Sequence, residues 1–215
     1  MGTTAKATGG DFPKAPIGTH VARCYQVIDL GHQKITWQGA EKWSHKVMLT
    51  WELCNELMDD GRPFAVSNRY TLSLAETSQL RPALESWRGK PFTDEELNGF
   101  DVKNVLGAYC MLGVVHNTAN GKTYANVSAI LPLPKGMAKP APVNANLYFD
   151  IDTSDLDVLP EWLQKQVKQS KEMTSEPEPQ VTQRPGQPGG AKSFADMDDD
   201  IPFINIGRGI GGHAI

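Results

Sequence analysis

Hydrophobic and polar positions alternate through much of the chain as far as Leu133, the two-residue period of strands with one buried face. A first strand is predicted from Ile17 to Leu30, with Val21, Tyr25 and Val27 on one face. From His32 to Lys42 the pattern turns polar, with Gly39 and an isolated Trp37. The second strand, Trp43 to Cys54, sets Val47, Leu49, Trp51 and Leu53 against Ser44, Lys46, Thr50 and Glu52. Asp59-Asp60-Gly61-Arg62-Pro63 carries turn chemistry, since glycine tolerates the positive φ of a tight connection. A third strand, Phe64 to Leu74, places Phe64, Val66, Tyr70, Leu72 and Leu74 opposite Ser67, Arg69, Thr71 and Ser73.

The period then changes. Leu80, Leu84 and Trp87 are spaced by four and three within Glu76 to Arg88, a short helix closed by Gly89. Thr93-Asp94-Glu95-Glu96 has the spacing of a capping box. Val102 to Val115 is an apolar run suited to burial on both faces, His116 to Lys122 a polar hairpin loop, and Thr123 to Leu133 a fifth strand. Strand, strand, strand, helix, strand, strand is the element order of the OB-fold. The expected fold is therefore all-β with minor α: a five-stranded OB-fold barrel with its helix between strands three and four.

Around residues 16–135, which would form the barrel, the chain divides by composition. Residues 1–15 read as a flexible arm. Residues 136–172 read as a linker, extension and short helix, with a strand-like Leu147 to Ile151. The helix opens at Leu159-Pro160-Glu161, runs to about Glu172 and carries Trp162, Leu163, Gln166 and Val167 along one side. Residues 173–215, rich in Pro, Gln, Gly and Ser, hold too few apolar side chains for a core and are expected to be disordered.

Charge follows the same division. Residues 1–139 hold 15 basic and 13 acidic side chains, net +2, and residues 140–215 hold 6 and 12, net −6. The overall −4 therefore does not exclude an acidic polymer as ligand, because the local field decides. Cys24, Cys54 and Cys110 lie far apart in apolar runs and are odd in number, which indicates reduced, buried thiols. The five histidines show no pairing of the zinc kind, and no metal or other cofactor is expected. No stretch is long and apolar enough for a membrane helix, and Met1 to Asp11 lacks the apolar run of a secretory signal, so a cytoplasmic location is expected.

OB-folds bind strands across the face of their second and third strands, flanked by two loops. Those places hold Lys34, Trp37, Trp43, His45 and Lys46, then Arg69, then Lys122 and Tyr124. Single-strand binding requires cations along a groove and flat rings for unpaired bases. Seven of these form the candidate single-stranded-DNA site: Lys34, Trp37, Trp43, Lys46, Arg69, Lys122 and Tyr124. Trp37, with only Ile35 as an apolar neighbour, suits either a ligand-facing ring or a loop anchor. Trp43 shares the core parity but stands at the strand's edge, where a barrel opens. Trp51 and Tyr70 have core parity.

The acidic peptide Asp196-Met197-Asp198-Asp199-Asp200-Ile201-Pro202-Phe203 resembles the tip of bacterial single-stranded-DNA-binding proteins, where aspartates precede Ile-Pro-Phe. That resemblance implies partner recruitment through Asp198, Asp199, Asp200, Ile201, Pro202 and Phe203: acids meet a basic rim and Ile and Phe fill a pocket. In those bacterial proteins the Phe is the last residue and its carboxylate is read. Here twelve residues follow, Ile204 to Ile215. Phe12 to Thr19, Asn68 to Leu74 and Leu84 to Phe92 are similar in pattern to single-stranded-DNA-binding proteins of tailed bacteriophages, a likeness covering about residues 12–135. It implies sequence-independent DNA binding in replication, repair or recombination inside a bacterial host. The expected partners are single-stranded DNA and enzymes of those pathways, with a homo-oligomer left open. A protein-binding adaptor on the same fold is the alternative. No convergent catalytic set, Walker motif or nucleophile elbow is present, so no enzymatic activity is expected.

Overall fold

The computed structural model describes residues 13–37, 39–119 and 121–174. Strands β1 (Gly18–Trp37), β2 (Ala40–Leu57), β3 (Pro63–Thr71), β4 (Tyr109–Ala119), β5 (Lys122–Pro132) and β6 (Leu147–Phe149) dominate it. Helices are few and short: α1 (Leu80–Arg88), α2 (Asp94–Asn98), α3 (Glu161–Val167) and α4 (Lys171–Thr174). The strand order is β3-β2-β1-β4-β5, all antiparallel, and β6 adds to β1 in parallel. The mostly β class is as expected. The sheet is open, because no ladder joins β3 to β5 among the described residues, although these two edge strands come into contact.

β1 is bent by two bulges, between Cys24 and Gln26 and between Asp29 and Gly31. The first bulge corrects the expected face of Val21, Tyr25 and Val27. Ala22, Cys24 and Val27 point into the core, opposite Leu53, Trp51 and Leu49, and Tyr25 is the extra residue of the bulge. An inserted residue leaves no mark on simple alternation. The second bulge needs glycine: Gly31 has φ +67°, and a Cβ there would lie 2.5 Å from Ile151 Cδ1 and 2.9 Å from Ser170 Cβ.

The interior joins Val27, Leu49, Trp51, Val66, Leu112 and Ile130, and α1 lays Leu80, Leu84 and Trp87 onto it. Trp51 and Trp87 meet with ring centroids 5.8 Å apart. Gly89 ends α1 in the left-handed conformation at φ +68°. The capping box at Thr93 and Glu96 forms as the spacing predicts. The apolar run expected as a strand from Val102 instead begins with a 3-10 turn, Val102–Val105, and β4 starts only at Tyr109. Asp101 caps that turn by accepting from the Lys103 N–H, and Gly107 (φ +81°) then turns the chain so that its N–H reaches Cys24 O at 2.7 Å.

Residues at both ends of the central region pack on it. Ala15, assigned by sequence to the arm, is buried, and its carbonyl accepts from His116 Nε2 at 2.7 Å; residues 1–12 lie outside the described part. After β5, the chain crosses the outer face of β1 and β2. Phe149, Ile151, Leu159, Leu163 and Val167 form a second core there with Ile28, Leu30 and Met48. Within α3, Leu163 and Val167 are buried while Trp162 is 54% exposed, so Trp162 does not share their side of the helix. Among the described residues no helix is long and apolar enough to cross a membrane.

Candidate nucleic-acid interface

The two polar stretches read as loops are antiparallel ribbons. The β1–β2 ladder continues until Trp37 pairs with Ala40, and the β4–β5 ladder until Ala119 pairs with Lys122. Gly39 (φ +80°) and Gly121 (φ +74°) supply the tight turns. Polar residues on both faces look like loop in a sequence, because neither face of such a ribbon is buried.

The ladders decide which side chains share a face, since directly opposed residues point the same way and neighbours in a strand point oppositely. Lys34 is opposite Trp43 and His32 opposite His45, which puts Lys34 and Trp43 together on one face of the first ribbon. Ile35 is opposite Lys42, Gln33 opposite Ser44, and Lys46 opposite Thr71, which puts Lys42, Ser44 and Lys46 on the other face. Arg69, opposite Met48, continues this second face onto β3. The seven candidates therefore do not form one site. Lys46 and Arg69 come together, Lys34 and Trp43 lie on the reverse face, and Lys122 and Tyr124 belong to the second ribbon. Tyr124 is 49% exposed and opposes Asn117, on the side away from the core-facing Ala125 and Val127. For Trp37 only the backbone is described, at the ribbon tip. Asp198 to Phe203 lie outside the described residues.

Around Lys46 and Arg69 the surface forms a groove of about 490 Å³. Its walls are the outer faces of β2 and β3, with Ile35 at one side and Ser73 and the residues Thr77, Ser78 and Gln79 before α1 at the other. Three cations line it, Lys42, Lys46 and Arg69, with the hydroxyls of Ser44 and Thr71 between them and no carboxylate in the lining. Lys46 Nζ donates to Thr71 Oγ1 at 2.7 Å, which fixes the ammonium at the wall. Burial, helped by the nearby Lys42 charge, pulls the Lys46 ammonium below the ordinary lysine range. The Arg69 guanidinium has no acidic partner among the described residues, and the residue is exposed. An anion in the groove meets three cationic side chains, no lining carboxylate and the Lys46 ammonium held at the wall.

Sequence reasoning found two members of this groove and missed Lys42, Ser44, Thr71 and Gln79. The signal was present in the alternation: 42, 44 and 46 on one strand and 69, 71 and 73 on the next are all cationic or hydroxylic. Lys34, in contrast, is matched by Glu41 at 2.5 Å on its own ribbon. Trp43 is 42% exposed, so its ring has open surface on that reverse face.

At the root of the same ribbon four titratable groups follow one another. Asp29 Oδ1 lies 2.7 Å from His45 Nε2, the His45 and His32 rings are 4.7 Å apart, and His32 Nδ1 meets the Glu172 carboxylate of α4. The Asp29 hydrogen bond raises the His45 pKa against the opposing effect of burial. Burial pushes the Glu172 carboxyl up, but the His32 hydrogen bonds outweigh it and hold it at about 2. The pair ties α4 to the ribbon. Among the described residues no three His, Cys, Asp or Glu side chains cluster as a metal site. Burial raises the thiols of Cys24 to about 12 and of Cys54 to about 11, and that of Cys110 upward as well. No model of a protein family matches the chain, and no curated protein is significantly similar to it.

Proposed function

We propose that this chain binds single-stranded DNA without sequence preference, through the groove on β2 and β3. The observation that carries the reading is the groove itself: Lys42, Lys46 and Arg69 converge there with serine and threonine hydroxyls and no acid among the lining residues. Such a lining suits consecutive phosphates of a flexible backbone and carries no set of donors arranged to read one base. The architecture supports it. The strand order β3-β2-β1-β4-β5, with α1 between β3 and β4 and with β3 and β5 in contact, supports reading the open sheet as an OB-type barrel that lacks a ladder at this seam. In that fold the second and third strands and the two flanking connections form the ligand face, and here those connections are the two ribbons.

In this reading the exposed rings of Trp43 and Tyr124 are ancillary stacking surfaces reached by a strand that leaves the groove. The Asp198–Phe203 peptide recruits replication, repair or recombination proteins, as the likeness to the bacterial and bacteriophage proteins suggests, and the chain itself performs no catalysis. Binding of equal-length single- and double-stranded oligonucleotides, followed by anisotropy in low salt, tests it. The single strand is expected to bind and the duplex to bind far more weakly. Failure to retain oligo-dT at low salt removes the reading and leaves the adaptor alternative.

A further inference from the structure

A second concavity, of about 670 Å³, opens between α1, the 3-10 turn at Val102–Val105 and the segment that leaves β5. It shares no lining residue with the β2–β3 groove. Leu84, Trp87, Phe100, Val105 and Pro132 give it an apolar floor. The charged residues in its lining are Arg88, Lys135 and Lys139, and no carboxylate lines it. One of the three cations lacks a full set of acceptors. Arg88 pairs through Nη2 with Glu96 and lies over the Phe92 ring at 4.3 Å, but its Nη1 is buried with no acceptor among the described residues. Arg88 lines the recess, so with Lys135 and Lys139 it favours a carboxylate there.

The rings at this recess are already engaged. Trp87 is buried, donates from Nε1 to Tyr109 O at 3.0 Å and packs on Trp51. Phe100 packs edge-on against Phe92, and Lys139 Nζ stands 5.8 Å from the centre of the Tyr109 ring. The buried Trp87 ring is not open to a nucleobase, whereas one compact apolar side chain fits the floor. We propose that this recess docks an acidic segment of a partner protein. One aliphatic or aromatic anchor sits on the floor of Leu84, Val105 and Pro132, and neighbouring carboxylates reach Arg88, Lys135 and Lys139. An anchor in a desolvated pocket inside a charged rim is a common way for short peptides to bind. The site is separate from the β2–β3 groove, so a partner and a DNA strand are held together.

The test is an anisotropy titration with a dye-labelled hexapeptide of four aspartates followed by Leu-Phe. It is run on the full chain and on the full chain carrying Ile201→Ser and Phe203→Ser, which removes the chain's own acidic–apolar peptide as a competitor. Saturable binding to either protein is expected, weakened at least about tenfold when Lys135→Glu and Lys139→Glu are added to the one that binds, with the melting temperature unchanged. A peptide ending in Ser-Ser should not bind, and saturating oligo-dT should not displace the Leu-Phe peptide. Absence of binding to both proteins, indifference to the two lysine reversals, or displacement by oligo-dT would each overturn the proposal, the last by making the recess part of a nucleic-acid site.

Discussion

Arg23 and Glu52 face each other across β1 and β2 as a buried ion pair, Nε to Oε1 at 2.7 Å. Both charges make further hydrogen bonds. The guanidinium also donates to Asn146 Oδ1 and to the Asn144 carbonyl, and Glu52 Oε2 accepts from the Asn144 N–H and side-chain amide. The pair thereby clamps residues 144–146 just before β6, and β6 starts the segment that builds the second core. Glu52→Leu leaves Arg23 buried and unpaired, an expected loss of about 3–5 kcal/mol, while Arg23→Met combined with Glu52→Leu recovers most of it. Urea denaturation of the three variants checks this, and equal losses for single and double variants would refute it.

The same carboxylate sets a pH dependence. Burial raises the Glu52 pKa, but the Asn144 N–H, the Arg23 guanidinium and the Asn144 amide together overcome it and hold it below the usual value of 4.5. A depressed carboxylate stabilises the fold fully above the unfolded value, and that contribution is lost as pH falls through the folded one. Stability measured downward from pH 5 should fall in wild type and fall less in the Arg23→Met, Glu52→Leu protein.

Anchoring of α4 responds to acid, and the neighbouring His45–Asp29 bond responds to base. Glu172, held at about 2 in the fold, contributes fully above about 4.5 and loses that contribution as pH drops toward 2. His45 has a raised pKa, so its bond to Asp29 contributes fully below 6.5 and declines as pH rises through its higher folded value. The difference in melting temperature between wild type and Glu172→Gln should be fully present above about pH 4.5 and shrink as pH falls toward 2. A difference independent of pH would show that Glu172 acts through packing alone.

Gly31 is where the second core depends on one backbone conformation. Gly31→Ala meets a left-handed φ, at roughly 1–2 kcal/mol, and a contact with Ile151 that forces displacement. Greater proteolytic access to residues 147–174, with the β2–β3 interior retained, is the expected result. A wild-type cleavage pattern would contradict it.

Much of this architecture was legible in the residue pattern, because strands with one buried face announce themselves by alternation. Val47, Leu49, Trp51 and Leu53 were placed correctly for that reason, as were Leu80, Leu84 and Trp87 by helical spacing. Three features were hidden for physical reasons. The bulge at Tyr25 breaks the period without changing composition. The ribbon from His32 to Lys42 has two solvated faces and so carries no hydrophobic rhythm. Between Leu147 and Val167 a short strand and a helix were legible, but not the core they build, because their apolar partners, Ile28, Leu30 and Met48, lie about a hundred or more positions away on the outer sheet face. The candidate site was legible in chemistry but not in geometry: Lys34, Trp43, Lys46 and Arg69 have the right side chains, yet only the ladder register shows that the first two lie behind the ribbon that carries Lys46.

That division yields a ranking. Trp43→Ala removes a ring on the reverse face and should weaken oligo-dT binding by less than the roughly 1–3 kcal/mol of a full base stack, with little effect on stability since the ring is exposed. Lys34→Glu should matter less than Lys46→Glu. A loss for Trp43→Ala exceeding that of Lys46→Glu would move the primary contact to the other face.

The most direct measurement is oligo-dT affinity as a function of salt for wild type and for the triple reversal Lys42→Glu, Lys46→Glu and Arg69→Glu, with circular dichroism confirming the fold of both. Three phosphate contacts in the groove predict a log–log salt slope of about −2 or steeper in wild type. The triple variant should lose at least about a hundredfold in affinity at low salt and approach zero slope. A folded triple variant that keeps wild-type affinity and slope would show that the β2–β3 groove is not where the strand binds.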